Sequence, residues 1–550
     1  MKLLALTATL VAPPTAARNV AKAHVIVGDR CMRGRRPRRV MRVARCVACV
    51  ILCSLNFAPA SAADQRAVGL VETGLAAQGG EAALRAIDRI SWTSVGYRNQ
   101  LEQSERPEGP YITEFRSATE VHDLSHARYR ESTDVAVYPA YKGSGGMVVA
   151  DGVAMRLVAG HGVPGSSDML VYAQERLALS PERLLLTART APDLAIAADT
   201  VLQGVLHHVV RFTLDGAPVT VYLNGDTGLP TAWDYSGPMA HRGFWNFLGD
   251  VTQRTYWNFW WLCSGGVRLP MQWEVEGNGL PDTTTSIRAV VINGPVDDQV
   301  FAIGADVRAA FRPLPGRFDL EALPLGDPQA PAVEIAPGIV QIPGNWNVTL
   351  VRQDDGIVVI EAPISSGYSA KVIAEARRRF PGLPIKAVVT TSDSWPHLAG
   401  IREYAAQGIA IYALDRNRPI LERMLADPRR SKPDALSRAP RQPIFQWVGD
   451  RAAIGAGTNR IVLYPLRGET SERQMMAYFP QARLLYASDP FQRRADGSYF
   501  IPQTVSEVVA AVEREQIAVD RFFMMHVGPT AWSELSDALA RARMDPDPSL

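Results

Sequence analysis

One change of hydrophobic rhythm, near residue 333, sets what this chain can fold into. Before it, apolar and polar residues alternate. Residues 209–214 and 219–223 flank the dipeptide Asp215-Gly216, the pattern of two half-buried antiparallel strands joined by a tight hairpin, and similar runs continue to Ile292. After it, short apolar strands alternate with helical stretches. Strands are expected at 339–342, 349–352 and 357–361, a helix at 368–380, a buried strand at 386–391, a helix at about 398–406 and a strand at 409–413. Residues 65–90 read as two helical pieces hinged at Gly79-Gly80, with Leu84, Ile87 and Ile90 at helical spacing. Between Phe311 and Pro331 the chain is rich in Pro, Gly and Asp, as an interdomain linker is. The expected architecture is α+β in two domains: a leader at 1–62, an antiparallel β domain at 63–300, a linker at 301–332 and an α/β-patterned domain at 333–550.

The leader distorts the charge balance. It holds 11 Lys and Arg against the single acid Asp29, so the remaining chain has 47 bases and 55 acids, a net of −8. A body of that sign with no basic stripe excludes nucleic acid as a partner, because phosphate contacts demand clustered Lys and Arg. From Met41 the leader reads as a secretory signal: Arg42 and Arg45, an apolar run from Cys46 to Phe57, then small residues around Ala60-Ser61-Ala62. About a dozen apolar residues are too few to cross a bilayer, so no transmembrane anchor is expected and the protein is placed in the periplasm or outside the cell. The true start is expected at Met32 or Met41. Val47-Ala48-Cys49 is only a faint lipobox. Four of five cysteines fall in this leader, leaving Cys263 alone, so an intrachain disulfide is excluded and the fold must rest on its cores.

Six of eleven tryptophans (Trp233, Trp245, Trp257, Trp260, Trp261, Trp273) crowd into some forty residues. Such density fills the core of a curved sheet or lines an apolar cavity. Helices followed by a long antiparallel meander resemble the LolA-like lipoprotein-carrier fold, a half-open barrel, over residues 65–300. That resemblance implies a lipophilic ligand.

The second half carries more specific segments: Asn347-Val348-Thr349-Leu350-Val351, Ile360-Glu361-Ala362-Pro363, Val388-Val389-Thr390-Thr391, His397-Leu398-Ala399-Gly400, residues 484–489 ending in Ser488-Asp489, and Met525-His526-Val527-Gly528. Together they resemble the metallo-β-lactamase superfamily over residues 333–550, which implies an αββα fold, hydrolase chemistry and zinc. In that family the strand-to-helix turn reads H-x-H-x-D-H. This chain reads Ser392-Asp393-Ser394-Trp395-Pro396-His397, so only the last ligand survives. The resemblance then implies Asp489 as the bridging aspartate and His526 as the final histidine, while Glu469 or Thr470 stands where another histidine belongs. A tally agrees: after residue 241 only His397 and His526 remain, too few for a dinuclear site. The expected centre is at most one divalent metal, zinc by resemblance, held by His397, Asp489, His526 and Glu469. The alternative is that these residues are fossils and no metal is bound. Ser392 or Ser394 with His397 as base is a weaker, serine-type reading.

Other candidates favour plain structural roles. His207-His208 lies on a strand, which sends the rings to opposite faces. His122 and His126 are four apart but in strand-and-turn surroundings. Cys263 is expected to be a buried packing residue, and Arg377-Arg378-Arg379 to cap a helix C-terminus. Two functions remain open. One is a hydrolase of an ester, lactone or amide of an apolar small-molecule substrate. The other is a non-catalytic carrier of a lipophilic ligand with a pseudoenzyme domain. Nothing in the sequence favours antibiotic hydrolysis.

Overall fold

The computed structural model describes residues 64–101, 103, 111–137, 141–158, 160–236, 249–313, 320–344, 346–489 and 502–544. The leader, Trp245 and part of the expected linker lie outside them. Helices α1 (Gln65–Ala77) and α2 (Glu81–Arg85) open the chain. They break at Gly79 and Gly80, whose φ angles of 116° and 100° only glycine adopts readily. A Cβ on Gly79 would lie 2.4 Å from the Gly266 carbonyl oxygen, so the corner also needs a bare backbone. Ile87 and Ile90 are buried as expected, but Ile90 belongs to the following strand rather than to a helix, because the helical run ends at Arg85.

The alternating region builds a sheet of thirteen strands: β1 (Arg89–Asn99), β2 (Thr113–Asp123), β3 (Arg128–Val137), β4 (Tyr141–Ala150), β5 (Val153–Val158), β6 (His161–Pro164), β7 (Ala195–Leu202), β8 (Val205–Leu214), β9 (Ala217–Asn224), β10 (Pro230–Ser236), β11 (Thr252–Leu262), β12 (Arg268–Gly277) and β13 (Leu280–Ile292). Every neighbouring pair is antiparallel. The strand order is β6-β5-β4-β3-β2-β1-β13-β12-β11-β10-β9-β8-β7, so β1 and β13 close two meanders onto each other while β6 and β7 remain edges. The expected hairpin is present: Leu214 faces Ala217, with Asp215 at φ 49° and Gly216 at φ 81°. Two helices joined by a short turn, α3 (Ser167–Ala178) and α4 (Leu184–Thr190), separate the meanders. Helix α3 packs on one face of β3 to β5 through Ala173 against Tyr129, Val149 and Ala154. The opposite face packs Val121, Val148 and Met155 against Phe301, Ile303 and Val307.

Those last residues fall in the segment expected to be a linker. It carries helix α5 (Ala305–Ala310), and Phe301, Ile303, Val307 and Phe311 are all buried in the β region. Further on, Leu320 is buried beside the second half. All described residues fall within one compact unit.

The second half contains two sheets. The first is ordered β14 (Val333–Ala336), β15 (Ile339–Ile342), β16 (Val348–Gln353), β17 (Gly356–Ile360), β18 (Ile385–Thr390), β19 (Ala410–Leu414) and β20 (Phe445–Val448), and is parallel from β17 onward. Helices α6 (Ser366–Arg379), α7 (Trp395–Leu398) and α8 (Ile401–Gln407) provide its crossovers, followed by α9 (Arg418–Ala426) and α10 (Ala435–Arg438). Helix α6 starts on Ser365, whose hydroxyl accepts the Tyr368 amide at 3.1 Å. The second sheet is ordered β21 (Ala452–Ile454), β22 (Ile461–Pro465), β23 (Met475–Phe479), β24 (Leu484–Tyr486), β25 (Arg521–Phe523) and β26 (Thr530–Ala531), with helices α11 (Pro502–Arg514) and α12 (Trp532–Met544). Val358, Ile360 and Val389 of the first sheet meet Ile461, Leu463, Phe479 and Tyr486 of the second in one apolar core. The outer face of the second sheet packs Tyr464, Met476 and Leu485 against Val505, Val508 and Leu535 of α11 and α12. The layers therefore run helix, sheet, sheet, helix. Among the described residues no helix is long and apolar enough to cross a membrane.

Candidate functional site

The site is built at the ends of the parallel strands β17 and β18 of the first sheet and of β24 of the second. Strand β17 is apolar throughout, and the residue that follows it, Glu361, is fully buried. A carboxylate there must find partners. Its φ of 75° is one a side chain rarely adopts, as is the 62° of Ser488 across the site, and such strain gathers at functional positions. Glu361 accepts from the hydroxyl of Thr391 at the end of β18, and from Tyr486 Oη at 2.9 Å. Its second oxygen lies 2.9 Å from His397 Nδ1. Thr391 Oγ1 also lies 2.7 Å from Ser488 Oγ, stitching the two sheets together.

His397, on the short helix α7, is fully buried. Its Nε2 faces Asp489 Oδ2 at 3.8 Å, and Asp489 Oδ1 faces His526 Nε2 at 3.4 Å. Three residues predicted from sequence are thus strung through Asp489. Burial alone would lower the His397 pKa, but the charges of Glu361 and Asp489 outweigh it and raise it to about 10. Burial pushes Asp489 up, and the neighbouring His526 and His397 more than offset this, holding its carboxyl well below the usual range. Burial and the Glu361 charge push the Tyr486 phenol well above its ordinary value, so it serves as a donor.

Glu469 is not part of this group. It is exposed, on a turn whose next residues are held elsewhere: Glu507 accepts from Thr470 N at 3.0 Å, from Thr470 Oγ1 at 2.9 Å and from Ser471 Oγ at 2.6 Å. Ser392 and Ser394 are buried beside the site, their hydroxyls 3.4 Å apart. The Ser394 carbonyl accepts the His397 amide at 3.0 Å, but neither hydroxyl is bonded to the His397 ring, so the serine reading has no base in place.

Whether these residues suit a divalent metal can be tested on three atoms. Among the described residues, His397 Nε2, Asp489 Oδ1 and His526 Nε2 are buried and have no hydrogen-bond partner. Their separations exceed those of hydrogen bonds. A histidine that gives one ring nitrogen to a carboxylate and keeps the other free is the usual arrangement of a metal ligand. The donor set fits one ion. It does not fit two, because Ser392, Ser394 and Pro396 offer no imidazole or carboxylate. Among the described residues no group of three or more His, Cys, Asp and Glu is gathered into a metal cage.

Sequence reading missed Glu361, Thr391, Tyr486 and Ser488 as parts of the site. The signal was present: an acid closing an all-apolar strand is either exposed or functional. Asp393 is likewise buried in this turn.

The other candidates have ordinary roles. His122 Nδ1 lies 2.7 Å from Glu182 Oε1, both fully buried, while His126 sits on a turn beside Asp123. His207 is bonded to Thr231 Oγ1 at 2.6 Å and His208 to Asp199 at 3.0 Å, on opposite faces. Cys263 is only half-buried, in the β11–β12 turn, because that hairpin tip projects from the sheet. Arg378 and Arg379 pair with Glu375, and Arg377 bonds Gln407. Of the tryptophans, Trp233, Trp257 and Trp273 are buried, while Trp261 is 67% exposed.

No family model matches the chain, and no curated protein does. Solved structures similar to it include a stereoselective inverting sec-alkylsulfatase from a Pseudomonas species, at 16% identity over 39% of this chain and 41% of that one, with a TM-score of 0.29. A metallo-β-lactamase from Erythrobacter litoralis matches at 13% identity over 39% of this chain and 96% of that one, with a TM-score of 0.30. The metallo-β-lactamase FIM-1 from Pseudomonas aeruginosa, in its mono-zinc form, matches at 13% identity over 40% of this chain and 98% of that one, with a TM-score of 0.31. The chain spans about two fifths of the length of the alkylsulfatases it matches.

Proposed function

We propose that this is a periplasmic or secreted hydrolase-like protein of metallo-β-lactamase type whose site holds one divalent ion at most, zinc by family resemblance. His397, Asp489 and His526 would hold it. The observation that carries this reading is the set of three buried, partnerless donor atoms meeting around Asp489. When bound, such an ion would polarise a carbonyl and acidify a water. The chain's own residues do the rest. Glu361 fixes the ring of His397, and Thr391 and Tyr486 fix Glu361. The loss of the first-metal histidines fits slow turnover of an activated ester, lactone or amide of an apolar substrate better than robust hydrolysis. The test is metal content of the purified protein against His397→Ala and Asp489→Asn after equal dialysis. About one equivalent in the parent and none in the variants supports the reading, and no metal in any of the three overturns it.

A second reading is favoured by one observation in the β domain. Trp92 packs on Trp273 with ring centroids 5.2 Å apart, Trp257 meets Trp233 at 6.0 Å and Trp260 at 6.2 Å, and Trp257 and Trp273 are register partners on β11 and β12. The indole nitrogens of Trp92, Trp233 and Trp260 are buried with no partner among the described residues. A carrier of a lipophilic ligand bearing acceptor groups would satisfy them. Lipid extraction and mass spectrometry of the purified protein decides it: a stoichiometric ligand lost in Trp260→Gln supports it, and an empty extract overturns it.

A further inference from the structure

The hairpin joining β11 to β12 carries the most exposed large apolar side chains among the described residues. Phe259 is 70% exposed, Trp261 67% and Leu262 65%. The backbone keeps them out. Phe259 has a φ of 55°, rare for a bulky residue, and it falls between the register pairs Asn258–Gln272 and Trp260–Pro270 without a partner of its own. Trp260 turns towards Trp257, with ring centroids 6.2 Å apart, while the residues on either side of it face solvent. The tip is also braced. Cys263 N donates to the Val267 carbonyl at 2.8 Å across Gly265 and Gly266, both at φ 77°, and Arg268 N donates to the Gln78 carbonyl at 2.8 Å. Val267 and Leu269 are buried beneath it. The three side chains are therefore presented on a held turn, so seating them in a partner costs little ordering entropy.

Area and charge decide what the tip meets. Two aromatic side chains of ~150–250 Å² each and one leucine, all about two-thirds exposed, offer about 400 Å², half of the ~800 Å² that each side of a stable protein pair buries. A bilayer needs no such area, because apolar side chains enter the acyl boundary singly while indole rests at the headgroup level. Residues 252–273 contain Arg254 and Arg268 but no acid, in a chain whose body carries a net of −8. Arg254 is held by Asp234. Arg268 faces Leu262 across the hairpin, is exposed, and has no side-chain partner among the described residues. Its guanidinium is thus placed to meet a lipid phosphate as Leu262 beside it is immersed.

We propose that the β11–β12 tip docks the protein on a phospholipid surface, with Phe259, Trp261 and Leu262 entering the acyl boundary and Arg268 on the headgroup phosphates. The inference rests on neither functional reading above. The experiment is co-sedimentation of the whole protein with vesicles of phosphatidylcholine, alone or mixed with phosphatidylglycerol, and quenching of tryptophan fluorescence by brominated phosphatidylcholine. Binding is expected to both vesicles, tighter to the anionic ones, with that preference fading as salt is raised. Phe259→Asn, whose new residue tolerates the positive φ, and Trp261→Ser should each weaken partitioning about tenfold. Both changes combined with Leu262→Ser should abolish it, and Trp261→Ser should remove most of the bromine quenching. Arg268→Gln should lose only the anionic preference. Val201→Ser, at a 63% exposed valine on β7, should change nothing. The altered side chains are exposed, so unchanged melting confirms that the variants fold. Parent-like binding by the triple variant, no binding by the parent, or an anionic preference kept in Arg268→Gln would each overturn the assignment. So would self-association of the parent without vesicle binding, lost in the triple variant, which would make the tip a contact between copies.

Discussion

Glu182→Gln is the most informative single change outside the candidate site. His122 on β2 and Glu182 in the α3–α4 turn are both fully buried, and their 2.7 Å contact ties the helical pair to the sheet. Burial alone would lower the His122 pKa, but the charge of Glu182, with help from Glu120, raises it above the ordinary value. The shift favours the protonated ring beside the Glu182 carboxyl. Glu120 can compensate little, being 3.4 Å away and already gripped by Arg176 at 2.7 Å. Breaking a buried pair by removing one charge costs about 3–5 kcal/mol, and here His122 can shed its proton, so about 3 kcal/mol is expected near pH 5.5. The sign with pH follows from the raised pKa. The stabilisation is fully present below about 6.5, the unfolded value, and is lost as pH rises through the folded value. Urea unfolding followed by tryptophan fluorescence measures it, since Trp273 is stacked under Arg176 of the same network. A gap between parent and variant that stays constant from pH 5 to 10, or one under about 1 kcal/mol at pH 5.5, would refute an ionic His122–Glu182 pair.

Further outcomes can be stated briefly. Glu361→Gln should leave the far-ultraviolet circular dichroism intact yet weaken metal retention by roughly 10- to 100-fold in competitive chelation, because the ring of His397 loses its anchor. Leu463→Ala, fully buried between the two sheets, should cost about 2–5 kcal/mol in equilibrium unfolding. Gly79→Ala should destabilise by about 2 kcal/mol or more, since the new Cβ meets the Gly266 carbonyl and sits at positive φ; a neutral calorimetric result would show that this corner relaxes freely. Glu469→Gln should leave metal content unchanged, in keeping with its exposed position on the turn.

Much of the architecture was legible because period and turn chemistry act locally. Asp215-Gly216 dictated its hairpin, and the strands at 339–342 and 386–391 were apolar enough to be recognised alone. The helix over 65–90 ran too far because Ile90 suits either a helical or a strand spacing, and only pairing with His122 and Ile292 decides it. The site was half legible. His397, Asp489 and His526 could be placed by motif, but the partners of Glu361 lie thirty or more residues away, at Thr391, His397 and Tyr486, and no local pattern encodes those contacts. Glu469 was chosen by counting along a turn. The fold sends that turn to Glu507 instead, because this buried carboxylate midway along α11 needs the donors that Thr470 and Ser471 provide.

The packing of residues 301–321 bears on how such a chain can be inherited. Phe301, Ile303, Val307 and Phe311 are sunk in the β region, while Leu320 accepts the hydroxyl of Ser365 at 3.1 Å and Lys371 donates to the carbonyl of Glu321 at 3.1 Å. Asp250, between β10 and β11, receives the backbone amides of Arg430 at 2.6 Å and Ser431 at 3.0 Å. A gene break before Phe311 would strip apolar residues from the β region, one beyond Glu321 would strip acceptors from the second half, and a break between the halves parts Asp250 from Arg430 and Ser431. The two halves are thus poor cassettes for shuffling, and substitutions at their seam must be matched across it.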